Sequence, residues 1–140
     1  MITLFIDGAG WNGRISECAF CVYEGDTMLH EEHKSFLKQY TNNQMEYSGL
    51  IYGLLHLAEN YNIKTTERIA VRTDSQLVCN QMNKLWRVKD IVLVRAVANA
   101  TEILNRIRIN RPINIEWTRR DKNRAGKYLE QLQRERKHKR

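Results

Sequence analysis

Proline occurs once in 140 residues, at Pro112, and cysteine three times, at Cys18, Cys21 and Cys79. A single proline excludes a proline-rich linker, and neither internal repeats nor low-complexity tracts are present apart from a basic carboxyl end. Three cysteines outside a secreted context exclude a disulfide framework, so no disulfide partner is expected. No run of about 18 apolar residues occurs, and Met1-Ile-Thr-Leu-Phe-Ile-Asp7 carries no basic leader ahead of a long apolar stretch. A soluble, cytoplasmic protein with no membrane partner is therefore expected.

What is present suits one domain over residues 1–140: 42% of the residues are apolar, enough for a sizeable core. Charge is unevenly spread. From Arg119 to Arg140 there are ten Lys or Arg against three Asp or Glu, a surplus equal to the whole-chain net charge of +7, so residues 1–118 are balanced. The basic segment, about 134–140, reads either as a solvated last helical turn that suits the helix dipole or as the footprint of a polyanion partner.

Two metal-like spellings fail on geometry. Cys18 and Cys21 form CxxC inside an apparent strand, where residues three apart point to opposite faces. His30-Glu-Glu-His33 is one residue short of HExxH and also falls on a strand, so both histidines are expected at the surface.

The apolar run Ile2 to Ile6 reads as a central strand covered on both faces. After Gly8, Gly10, Asn12 and Gly13 a second strand spans Ile15 to Tyr23, and past the Glu24-Gly-Asp26 turn a third runs from Met28 to Leu37. Thr41-Asn42-Asn43 offers caps for a helix from about Gln44 to Tyr61. Ile69 to Thr73 is a buried strand, and Leu77 to Leu85 a short helix. Trp86-Arg-Val-Lys89 is a connection with Trp86 expected in the core. Ile91 to Arg108 is amphipathic, with Val94, Val97, Ala98, Thr101 and Leu104 on one side. Pro112 precedes a last strand, Ile113 to Thr118, and a terminal helix begins at Asn123 to Ala125. This order predicts an α/β fold with a mixed sheet and packed helices.

Three acids stand at element ends. Asp7 closes the first strand, Asp74 closes the strand Ile69 to Thr73 with Ser75 opening the next helix, and Glu46 lies near the start of the long helix. Each has an ordinary reading: Asp74 and Ser75 as helix caps, Glu46 as an acid that compensates the dipole. Together they are also what a hard divalent cation needs.

Four segments resemble type 1 ribonuclease H, over essentially the full length and closest to the variety without an extra basic protrusion. They are Phe5-Ile-Asp7-Gly8, Thr41-Asn-Asn-Gln-Met-Glu46, Thr73-Asp74-Ser75-Gln76-Leu77-Val78 followed by Asn80-Gln and Trp86-Arg-Val-Lys, and Trp117-Thr-Arg-Arg-Asp121-Lys-Asn123-Arg-Ala125-Gly126. The last departs from the family's Asn-x-x-Ala-Asp: glycine stands at position 126, where a fourth acid is expected.

The resemblance implies a five-stranded mixed sheet, three antiparallel strands then two parallel, with helices on both faces. It implies a metal-dependent endonuclease that cuts the RNA strand of an RNA/DNA hybrid, its partner. Asp7, Glu46 and Asp74 would be the catalytic and metal-binding acids of a two-ion Mg²⁺ or Mn²⁺ site, with the second ion in question because of Gly126. Asp121 and Glu130 are the candidate substitutes for the missing ligand. Asn12, Asn42, Asn43, Gln44, Ser75, Arg119 and Arg120 would contact substrate. The alternative is a catalytically impaired protein that binds hybrids or other nucleic acid on the same fold.

Overall fold

The structure, a computed structural model, describes residues 1–61 and 67–139. Ile2–Ala9 (β1) lies at the centre of a five-stranded sheet. Ser16–Glu24 (β2) runs antiparallel to β1, and Thr27–Phe36 (β3) runs antiparallel to β2 at one edge. On the other side Ile69–Thr73 (β4) pairs parallel to β1, and Ile113–Trp117 (β5) parallel to β4. The order β3-β2-β1-β4-β5 is the expected mixed sheet. Among the described residues no helix is long and apolar enough to cross a membrane.

Strand alternation assigns the two faces. Ile2, Leu4 and Ile6 of β1, with Phe20 and Val22 of β2, join the main core with Tyr47, Leu50, Leu54 and Leu57 of the long helix Asn42–Asn60 (α1). Gln76–Met82 (α2) and Ile91–Arg108 (α3) complete that layer. The opposite face carries Phe5 and Cys21, covered by Ala125 of Arg124–His138 (α4). Cys18 and Cys21 are buried free thiols, and burial pushes each up to about 12, so neither is a nucleophile at neutral pH.

Three local expectations need correction. The buried side of α3 is Leu93, Ala100, Ile103, Leu104 and Ile107, whereas Val94 is 45% exposed; many small and β-branched residues around the helix blur its apolar stripe in sequence. Trp86 is 48% exposed rather than core. The histidines of β3 are engaged rather than free at the surface. His30 stacks on His56 of α1 at 3.9 Å between ring centroids, and His33 bonds the buried Glu17 at 2.8 Å.

Glu17 is the most deeply buried acid of the sheet, 1% exposed, on the face that α4 covers. Burial alone would raise its pKa, but hydrogen bonds from His33, Arg136 and Gln133 outweigh that and hold the carboxyl down at about 2. Arg136, in the basic segment, is thus a clamp that fastens the end of α4 to β2; Arg140 lies outside the described residues. A depressed carboxyl stabilises the fold above its ordinary pKa of 4.5, and the contribution is lost as pH falls through 2. Glu17→Gln is expected to cost about 2 kcal/mol at pH 7. In urea titrations the gap to the wild type should close as pH approaches 2.

Candidate active site

Asp7, Glu46 and Asp74 are brought together at the carboxyl edge of β1 and β4, their ligand-capable oxygens all within 4.8 Å of one another. Each arrives by a different route. Asp7 stands near the end of β1, on the α4 side of the sheet by alternation with Phe5. Glu46 descends from the first turns of α1, which begins with a capping box: Thr41 accepts from the Gln44 amide at 3.1 Å, and the Gln44 side chain accepts from the Thr41 amide at 2.9 Å. Asp74 occupies the turn between β4 and α2, where Ser75 performs the capping by accepting from the Val78 amide. The ordinary reading of Asp74 as a cap is thereby excluded.

Two glycines permit this convergence. A Cβ on Gly8 would overlap the Met45 carbonyl, and one on Gly49 would lie 2.9 Å from the Asp7 carbonyl oxygen. Only hydrogen at these positions lets the α1 backbone press against the end of β1.

The acids are electrostatically uncomfortable together. Burial, then the Asp74 charge, pushes Asp7 up to about 7, against opposing hydrogen bonds and the weaker pull of Arg120. Burial, then the charges of Asp7 and Asp74, raises Glu46 to about 10, and it shares a hydrogen bond with Asp7. Glu46 is 9% exposed, and its Oε2 is buried with no hydrogen-bond partner. A buried carboxylate oxygen without a donor is costly unless a cation faces it. The donor set is all carboxylate oxygen, which suits Mg²⁺ or Mn²⁺.

This strain has a measurable sign. A raised carboxyl costs nothing below its ordinary pKa of 4.5 and destabilises increasingly as pH climbs toward its folded value of about 10. Glu46→Gln is therefore expected to stabilise the protein in chelator by on the order of 2 kcal/mol at pH 8. Thermal melts at pH 4.5 should show no such gain.

The remaining candidates are distributed unequally. Asp121 is exposed and bonds Arg119 at 3.0 Å, Glu130 is exposed on α4, and neither joins the acidic group. Arg119 is thus turned to Asp121, while Arg120 is the cation whose charge reaches Asp7. Asn12 closes its own loop, its Oδ1 accepting from the Arg14 and Ile15 amides. Asn42 Oδ1 accepts from the Gly10 amide and ties the β1–β2 loop to α1, and Asn43 is exposed beside it.

Sequence reasoning missed Asn123 as a site residue. It is wholly buried, its Nδ2 donates to the Ile6 carbonyl at 2.9 Å and to Asp74 Oδ2 at 3.1 Å, and its Oδ1 caps α4. One side chain therefore orients Asp74, the end of β1 and the start of α4. Its signal was in the run Asn123-Arg-Ala125, read only as a helix start. Trp117 was missed as well; its indole donates to the Asp74 carbonyl at 3.1 Å. Gly126 follows on α4, and a Cβ there would stand 3.4 Å from Asp7 Oδ2, so the position of the expected fourth acid does border the cluster.

The RNase H family profile matches residues 1–127. A bifunctional protein of Mycobacterium tuberculosis, Rv2228c, is 37% identical over 92 residues, covering 66% of this chain and 23% of that protein. The chain thus spans about a quarter of the length of this curated relative. The solved N-terminal RNase H domain of the same protein is 30% identical with a TM-score of 0.75, covering 87% of this chain and 84% of that one. RNase H1 of the archaeon Halobacterium salinarum is 27% identical with a TM-score of 0.77, covering 91% and 92%. At 24% identity, LC11-RNase H1, solved in complex with an RNA/DNA hybrid, shares the fold with a TM-score of 0.77 over 92% of this chain and 93% of that one.

Proposed function

Because the chain belongs to the RNase H family, we propose that it is a metal-dependent endonuclease that hydrolyses the RNA strand of RNA/DNA hybrids. The observation that carries this reading is the convergence of Asp7, Glu46 and Asp74 within 4.8 Å, with one Glu46 oxygen buried and unpartnered. These three side chains would hold Mg²⁺ or Mn²⁺. A divalent pair bound there supplies an activated water and neutralises charge on the attacking and leaving oxygens of a phosphodiester.

The chain's own groups divide the remaining work. Asn123 fixes the rotamer of Asp74 through the hydrogen bond to Oδ2. Arg120 offsets part of the acidic charge around Asp7, easing approach of a polyanion. The exposed amide of Asn43 and the tethered Asn42 lie at the start of α1, where amides that both donate and accept suit 2′-hydroxyls and base edges in a hybrid's minor groove. Gln44 and Ser75 serve first as caps, so their contact with substrate would be through whatever hydrogen-bonding capacity the caps leave.

The competing reading, a protein that binds hybrids without cutting them, is favoured by Gly126 alone. The test incubates purified protein with an end-labelled hybrid in Mg²⁺ and in Mn²⁺, beside Asp74→Asn. Cleavage that the substitution removes supports the nuclease. Tight hybrid binding with no cleavage in either metal supports the binder and overturns it.

A further inference from the structure

The loop between β1 and β2 has an open groove on each flank. On one side Gly10 and Trp11 face Tyr40, Thr41 and Asn42 at the start of α1. On the other, a larger groove of about 600 Å³ runs between Asn12, Arg14 and Ile15 and the end of α4, at Gln133, Arg136, Lys137 and Lys139. Among the described residues no acid lines this second groove. Glu17, which accepts hydrogen bonds from Gln133 and Arg136 of the lining, is buried and already ion-paired with Arg136, which leaves Arg14, Lys137 and Lys139 as exposed cations. Asn12 has its oxygen committed to the Arg14 and Ile15 amides, so what it can offer outward is its NH₂. The lining is thus rich in donors and cations, the complement of an acceptor-only polyanion.

We propose that this groove is a second nucleic-acid contact site, holding the phosphate backbone of a strand that continues past the acidic cluster. The identity of the polyanion rests on the nuclease reading of that cluster; the charge and shape of the groove do not. Its size argues for polymer over a free phosphate ion, since the volume is roughly twenty times the ~30 Å³ share of one water. Position argues the same way. Gly126 stands beside Asp7, and Lys137 lies eleven residues further along α4, about 17 Å at 1.5 Å per residue. The two sites are therefore a few nucleotides apart on one edge of the molecule. The Arg136 clamp on Glu17 keeps the helix end folded, so Lys137 and Lys139 are presented from a fixed scaffold.

The experiment uses the full chain carrying Asp74→Asn to prevent cleavage, with Arg14→Gln, Lys137→Gln and Lys139→Gln added. Arg136 stays in place to preserve the clamp, and thermal melts check that the fold is intact. Binding is measured against salt for a blunt hybrid, for the same hybrid with a single-stranded extension at either end, and for inorganic phosphate as competitor. The triple substitution should lower the slope of log K against log salt by about two, from ~0.7–0.9 per phosphate contact. Affinity for at least one extended hybrid should fall more than tenfold, and millimolar phosphate should not compete. A control with Arg95→Gln and Arg106→Gln, exposed on α3, should leave the slope unchanged. An unchanged slope in the triple variant, or an equal drop in the control, would overturn the proposal. So would a loss confined to phosphate competition, which would mean a small-anion site. Absence of cleavage in the wild type itself would fail the nuclease reading while the salt slope still judges the groove.

Discussion

Asp7→Asn is expected to slow hybrid cleavage by on the order of a thousandfold or more, about 4 kcal/mol of barrier, while hybrid affinity stays within a few-fold or improves. Asp7 is the shared member of the acidic group: it hydrogen-bonds Glu46, feels the Asp74 charge, and borders the position of Gly126. On the proposed function, its replacement by a neutral amide would remove a cation ligand that neither neighbour can supply, while the helix, sheet and amide contacts around it remain. Binding should not suffer, because one negative charge fewer faces a polyanion. Single-turnover rates in Mg²⁺ and Mn²⁺, with affinity measured in Ca²⁺, check both halves. A rate within tenfold of wild type in either metal would mean that Asp7 is not part of the chemistry.

Gly126→Asp should act in the opposite direction, raising the cleavage rate at least tenfold and lowering the half-saturating metal concentration by a similar factor. The fold admits the change, since the added Cβ meets Asp7 Oδ2 at 3.4 Å, an ordinary contact, and no backbone clash is present. Replacing glycine in a helix gains a few tenths of a kcal/mol, and an acid in the first turn of α4 gains a further ~0.3–1 from the dipole. A fourth carboxylate beside Asp7 opposes both, because it adds a like charge to a pair of acids already raised by burial. Metal-free melting should therefore change little, whereas the rise in melting temperature on adding Mn²⁺ should grow. If rate and metal requirement both stay put, the limiting defect is elsewhere than position 126. Asp121 and Glu130 are poor explanations for such a result, being exposed and outside the acidic group.

The parts of this molecule that were legible in sequence are those set by local chemistry. The apolar run Ile2 to Ile6 and the strand Ile69 to Thr73 each end on an acid, and both acids lie in the site. The span Ile91–Arg108 is read from its apolar spacing with its bounds intact, and in the structure Asp90 caps one end while Arg106 and Arg108 stand in the last turn at the other. What was not legible depends on partners distant in sequence. Glu17 looks like a surface acid until β2 is covered by α4, and Arg136 like a solvated tail residue until Glu17 lies beneath it. Asn123 caps a helix in the ordinary way, and only the packing of α4 on β1 reveals its second bond, to Asp74. Trp86 is aromatic and therefore expected inside, yet nothing covers its connection sufficiently to bury it.

The contact that Gly8 and Gly49 allow has a consequence for how this site can be altered. With main chain resting on main chain, the separation of Asp7 and Glu46 is dictated by two rigid elements and resists tuning by neighbouring side chains. Asp74 hangs from a short turn, steadied by Asn123. Changes in cation size or selectivity should therefore be sought in substitutions around that hinge-like third arm, since swelling either glycine would pry the first two apart together with the fold.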